Sequence, residues 1–182
     1  MKIVIYGAES TGKTSLAKAL AAHYNTEWVP EFAREYLQEK YNNSGEICAI
    51  SDLIPIAKGQ IELEKEAEKK VGSHGLIFCD TNPYQTYYYG KAYYQDFNYP
   101  ELWELAQQRH YAYYFLTYID TPWVADDLRD RPEDRLMMHK LFKNSLEENN
   151  FPYSTLEGSH QQRMVQAIIK IDELIATNKP SN

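Results

Sequence analysis

Residues 7–14 read Gly-Ala-Glu-Ser-Thr-Gly-Lys-Thr, the G-x-x-x-x-G-K-[ST] spacing with which a backbone wraps a polyphosphate. Gly7 and Gly12 let the chain take positive φ and turn its amide N–H groups inward. A ring of donors and the positive end of the next helix then face a polyanion. Lys13 adds a charge that reaches the β- and γ-phosphates, and Thr14 offers a hydroxyl to Mg²⁺. Glu9, Ser10, Thr11 and Ser15 complete the loop that would contact the nucleotide. A nucleoside triphosphate is the expected ligand; the rival reading is a glycine-rich turn that binds nothing.

A phosphate loop does not name a reaction, so residues that can address a second substrate matter more. The apolar run 75–79 ends on Asp80, and an acid at the carboxyl end of such a strand faces the crevice where α/β sheets bind ligands. It is expected to hold Mg²⁺ with Thr14, directly or through water; a helix N-cap ahead of Pro83 is the alternative. Glu31 and Arg34 lie three apart just past a short strand and can share one side of a helix start. An acid there can take the proton of a sugar hydroxyl or orient two ribose hydroxyls, while Arg34 steadies phosphate or the acid. An ordinary surface ion pair competes with that role.

Between positions 126 and 135 five acids accompany three arginines, too much charge to bury. The segment 120–135 is therefore read as a lid whose closure delivers Arg side chains to the transferred phosphoryl group and excludes water. Arg129 is the first candidate, with Arg135 and Arg131 behind it and salt bridging on a solvated face as the rival. The chain holds 16 tyrosines, clustered at 84, 87, 88, 89, 93 and 94. A Tyr ring can stack on a base while its hydroxyl bonds the substituents. Tyr84, Tyr87 and Tyr88 stand at helical spacing and read mostly as packing, with Tyr84 and Tyr88 the candidates for the acceptor pocket.

These residues need a scaffold, and the pattern supplies one. Apolar runs at 2–6, 27–29, 75–79, 113–119 and 153–156 read as strands. Helical patterning is expected at 15–24, 31–41, 52–70, about 100–111, 135–148 and from 159 to near 177, with a break at 42–45 and a frayed tail at 178–182. Alternating strands and helices imply an α/β, three-layer α/β/α P-loop NTPase fold with a five-stranded, mostly parallel sheet, and 182 residues suit a single domain. A net charge of −7 argues against binding nucleic acid through a general positive field. No apolar run reaches the ~20 residues that cross a bilayer, and Met1 leads straight into the first strand. A cytoplasmic protein without a membrane partner is expected. Two cysteines, Cys48 and Cys79, make no disulfide framework.

Taken in order, G-A-E-S-T-G-K-T, P-E-F-A-R-E-Y, F-C-D-T-N-P-Y-Q-T-Y-Y-Y-G-K-A, T-P-W-V-A-D-D-L-R and P-Y-S-T-L-E-G-S-H-Q-Q-R resemble the ribosylnicotinamide kinase domain of NadR-type proteins across essentially the whole chain. That resemblance implies transfer of the ATP γ-phosphate to the 5′-hydroxyl of nicotinamide riboside, with Mg²⁺, in NAD salvage. By position, Lys13 and Thr14 match the phosphate and Mg²⁺ residues and Asp80 the strand-end acid. Glu31 and Arg34 match the pair beside the riboside, and Arg129 the lid arginine. Trp123 and Asp126 would shape the lid, and Gly158 would lie near the adenine. Two departures stand out. The loop begins at Gly7, leaving no room for the nucleotidyltransferase domain that precedes the kinase in NadR-type proteins, so adenylyl transfer and DNA binding are expected elsewhere. Position 30 is Pro, where an aromatic would sandwich the nicotinamide ring. Another nucleoside or nucleotide kinase is the nearest rival, and a regulatory P-loop ATPase acting as a switch is the reading from a different class.

Overall fold

The computed structural model describes residues 1–72, 75–126, 128 and 132–177. Its sheet is built from β1 (Lys2–Tyr6), β2 (Glu27–Val29), β3 (Ile77–Asp80), β4 (Tyr113–Thr117) and β5 (Tyr153–Leu156), in the order β2-β3-β1-β4-β5. Every neighbouring pair is parallel. Parallel strands joined by helical crossovers are covered on both faces, which is why β1 and β4 read as unbroken apolar runs rather than alternating ones. Ile3, Ile5, Phe78 and Phe115 pack on one face with Leu16, Leu20 and Ile171, from α1 (Lys13–His23) and α7 (His160–Thr177). Val4, Tyr6, Cys79 and Leu116 pack on the other, against α3 (Leu53–Val71), α4 (Pro83–Tyr93) and α6 (Arg135–Glu148). The three-layer α/β/α expectation holds.

The chain leaves β1 toward β2 and β3 on one side and later toward β4 and β5 on the other. At such a reversal the carboxyl ends of adjacent strands frame a crevice. Ile5 is in register with Asp80, so the loop after β1 and the acid ending β3 arrive side by side.

Boundaries differ from expectation where caps decide them. The helix expected over 31–41 is α2 (Phe32–Ser44), which runs through the predicted break and stops at Gly45, whose φ of 71° ends it in the left-handed conformation. The Tyr-rich stretch forms α4, started by Pro83 in its first turn and by Asn82, whose Oδ1 accepts the Gln85 N–H at 3.1 Å. Asn82 is therefore the N-cap, and Asp80 is left free of that task. The helix after Pro100, α5 (Pro100–Gln107), ends short of the expected 111 and packs its Leu102 against Leu53 and Ala57 of α3.

Candidate active site

The phosphate loop runs from β1 into α1 through three positive-φ residues, Gly7 at 141°, Ser10 at 54° and Gly12 at 81°. A Cβ on Gly7 would fall 2.5 Å from Thr117 Oγ1, so only glycine lets the loop lie against β4. The loop is held from several sides. Gln85 of α4 accepts the Gly7 N–H and donates to the Gly7 carbonyl, both at 3.2 Å. The hydroxyls of Thr11 and Thr117 pair at 2.7 Å. Arg163 of α7, 2% exposed, donates to the Thr11 carbonyl at 2.5 Å, to Tyr118 at 3.0 Å and to Gly158 at 3.0 Å, and also pairs with Asp120.

Lys13 is buried and donates to the Ala8 carbonyl at 2.8 Å across the loop. Thr14 donates to Asp80 Oδ2 at 2.5 Å. Asp80 is fully buried, and its other oxygen, Oδ1, has no hydrogen-bond partner. Burial first, then the neighbouring Glu31 carboxylate, push its pKa up to about 7, with Lys13 and the Thr14 hydroxyl opposing. Asp80 is thus a buried acid beside another acid, with one oxygen on the Thr14 hydroxyl and the other unpartnered.

Glu31 follows Pro30 at the N-cap of α2, where the extended residue before a helix turns its side chain into the crevice. It borders three cavities. One is the phosphate cradle, with Gly12, Lys13, Thr14 and Arg34. The second is a polar recess with Trp28, Pro30, Arg34 and Asp80. The third is a mostly apolar cavity of about 170 Å³ lined by Leu37, Ile56, Gln60, Gln85, Tyr89 and Tyr93, among others, a size that admits one aromatic ring. Glu9 shares the wall between cradle and ring cavity. Both acids add to burial in raising the pKa of Tyr89, so their field is felt inside the ring cavity.

The described residues of the segment 120–135 that precede α6 sit on the loop. Val124 donates to Ser10 Oγ at 2.9 Å, and Thr121 Oγ1 donates to the Ser10 carbonyl at 2.7 Å. Arg135 donates to the Thr121 carbonyl at 2.9 Å and to the Ser10 carbonyl at 3.2 Å, while its guanidinium lies 5.7 Å from the Trp123 ring centre. Arg135 thus ties the segment after β4 to the phosphate loop through carbonyls. Arg34 pairs with Asp126 and is raised in pKa chiefly by that bond, so it links α2 to the segment after β4. Arg129 and Arg131 lie outside the described residues.

The structure corrects the assignment of Tyr84 and Tyr88 to the acceptor pocket. Both are buried in packing: Tyr84 against Trp103 and Phe151, and Tyr88 in the main core with its hydroxyl bonded by Asn149 Nδ2 at 3.0 Å. The face of α4 turned to the cavity carries Gln85, Tyr89 and Tyr93 instead, four residues apart and so stacked on one side of a helix.

A protein-family model described as an AAA domain matches residues 2–163. The chain belongs to that family. Two relatives of this AAA-domain chain are trifunctional NAD biosynthesis/regulator proteins NadR. That of Escherichia coli (strain K12) is 27% identical over 180 residues, covering 97% of this chain and 43% of the relative. That of Salmonella typhimurium (strain LT2) is 27% identical over 176 residues, covering 95% and 42%. The chain spans less than half the length of these relatives. A crystal structure of NadR protein in complex with NR aligns with a TM-score of 0.81 at 23% identity, over 94% of this chain and 50% of that one. Thymidylate kinase from Ehrlichia chaffeensis aligns with a TM-score of 0.66 at 13% identity, over 94% and 98%. The fold is the one shared by P-loop kinases.

Within this AAA-domain fold, several site residues carried no signal that sequence reasoning used. Arg163 closes the last quoted motif, yet its binding of Thr11, 152 positions away, depends on tertiary contact. Gln60 and Gln85 are single amides inside helical patterns. Spacing by four from Gln85 could have found Tyr89 and Tyr93.

Proposed function

We propose that residues 1–182 act as one P-loop kinase unit in the cytoplasm, moving the γ-phosphate of ATP to the 5′-hydroxyl of nicotinamide riboside to give nicotinamide mononucleotide. The observation that carries this reading is the position of Glu31, a single carboxylate common to the phosphate cradle, the Asp80 recess and the ring-sized cavity. A riboside with its base in the tyrosine-lined cavity and its 5′ end toward Lys13 passes that acid. Two carboxylates beside an apolar, aromatic cavity also favour a cationic ring, and the pyridinium of nicotinamide riboside is one. The likeness to NadR relatives over almost the entire chain supports the same acceptor.

In this mechanism Glu31 orients the hydroxyl and accepts its proton as the oxygen attacks phosphorus and the bond to ADP breaks. Lys13 and the loop amides hold the charge that moves onto the β-phosphate. Arg34 steadies the sugar side, and Arg129, with Arg131 behind it, supplies lid charge to the transferred group. The unpartnered Asp80 Oδ1 opposite Thr14 fits a divalent ion, and Mg²⁺ held there would neutralise the β- and γ-phosphate oxygens. Pro30, where the resemblance places an aromatic over nicotinamide, lines the Asp80 recess and not the ring cavity; a second reading keeps the kinase but gives that cavity the base of another nucleoside.

A panel of ribosides offered with ATP and Mg²⁺ tests both. Stoichiometric ADP and nicotinamide mononucleotide are expected, with other nucleosides at least tenfold slower. Faster turnover of a different nucleoside would favour the second reading, and ATP hydrolysis indifferent to every acceptor would overturn both.

A further inference from the structure

Gln60 lies on α3 and is 1% exposed. Its Oε1 accepts the Phe32 N–H at 2.9 Å. A backbone amide can only donate, so the oxygen must face Phe32 and the orientation of the carboxamide is fixed. The nitrogen, Nε2, then points the other way. It is buried, it has no hydrogen-bond partner, and Gln60 lines the ring-sized cavity.

The neighbourhood is built to hold that amide. A Cβ on Gly59 would fall 2.2 Å from Phe32 Cε1, so glycine there lets the Phe32 ring lie on α3 and brings its N–H to Gln60. The other carboxamide in the lining, Gln85, has both ends engaged by Gly7. Glu9 and Glu31, when ionised, only accept hydrogen bonds. A buried donor without a partner carries its full desolvation penalty until a ligand satisfies it.

We propose that Gln60 determines acceptor specificity by donating Nε2–H to a carbonyl oxygen carried by the acceptor's planar base. This rests on the reading that the cavity holds the base of a riboside. The same side chain, through Phe32, fixes the start of α2 and with it Glu31, so recognition of the base and placement of the acid share one carboxamide.

The test compares nicotinamide riboside with the pyridine riboside that lacks the carboxamide, using the wild-type chain, Gln60→Glu and Gln60→Met. The Glu variant keeps an acceptor for Phe32 but offers the cavity an oxygen, and the Met variant removes both groups at similar length. The wild type should prefer the carboxamide-bearing riboside by about 10- to 100-fold in kcat/KM. In Gln60→Glu that preference should fall below about threefold, through the riboside KM, with the KM for ATP unchanged. Gln60→Met should lose the preference and also lower kcat, because Glu31 is no longer held. Equal use of the two ribosides by the wild type would overturn the proposal, as would an intact preference in both variants. Failure of the wild type to phosphorylate either riboside would take down the kinase reading and this inference with it.

Discussion

Asp80 keeps its proton to about pH 7 in the folded chain, against the usual 3.8. The unfolded carboxylate releases its proton near pH 4. Between those values the native state binds more protons, so the contribution of this group to stability is fully present below the unfolded value and is lost as pH rises through 7. Metal-free thermal melts should therefore show the wild type losing stability relative to Asp80→Asn between pH 5 and about 8. Parallel curves would mean that burial does not hold the proton. Lys13→Ala should abolish phosphoryl transfer while leaving the circular dichroism spectrum unchanged; retained turnover would remove the loop from the chemistry. Glu31→Gln keeps the size of the side chain but not its basicity, so kcat should fall about 10²- to 10⁴-fold with little change in ATP affinity. Equal loss of both would make Glu31 a structural residue. The loop glycines, Lys13, Thr14, Asp80 and Glu31 were all legible in the sequence because their chemistry is tied to local spacing or to a strand end. Gln60 was not, since one amide in a helix announces nothing until its neighbours are known.

Among the elements, α3 shows how function blurs a pattern. Its buried face carries Ile56, Ala57, Gln60, Ile61, Glu64 and Ala67, a regular helical stripe in which two positions are polar. Gln60 serves the cavity, and Glu64 is satisfied by Lys2 at 3.0 Å, Arg109 at 3.2 Å and Tyr111 at 2.7 Å. Those two polar positions interrupt the hydrophobic period of the helix expected over 52–70. The tyrosines of α4 misled for the opposite reason. Tyr84 and Tyr88 follow the apolar period into the core, whereas the cavity takes the flank of the same helix. Arg163 is the tie between α7, the end of β4 and the phosphate loop. Arg163→Met should lower stability by about 2–4 kcal/mol in urea titration, because it strands the Thr11 and Tyr118 carbonyls and Asp120. Nucleotide affinity should fall with it as the loop loosens. A loss under about 0.5 kcal/mol, the range of ordinary surface changes, would show that the loop stands without it.

Over the whole molecule, strand order decides what meets. Alternating strands and helices predict a parallel sheet, but it is the pairing of β3 with β1 within the order β2-β3-β1-β4-β5 that puts the end of β3 beside the end of β1. That order brings Asp80 to Thr14 and leaves α2, entered from β2, to deliver Glu31 to the same crevice. Long-range adjacency of this kind is set by packing, and no local spacing encodes it. Among the described residues no helix is long and apolar enough to cross a membrane. The kinase reading requires that Glu31, the acid common to the phosphate cradle, the Asp80 recess and the ring cavity, meets the acceptor hydroxyl. A crystal structure with ADP, Mg²⁺ and nicotinamide riboside bound together tests it most directly. The ring should lie between Tyr89 and Gln60 and the 5′-hydroxyl within hydrogen-bond reach of Glu31, in line with the terminal phosphate. A riboside seated elsewhere, or one whose 5′-hydroxyl faces away from Glu31 and the phosphates, would contradict it.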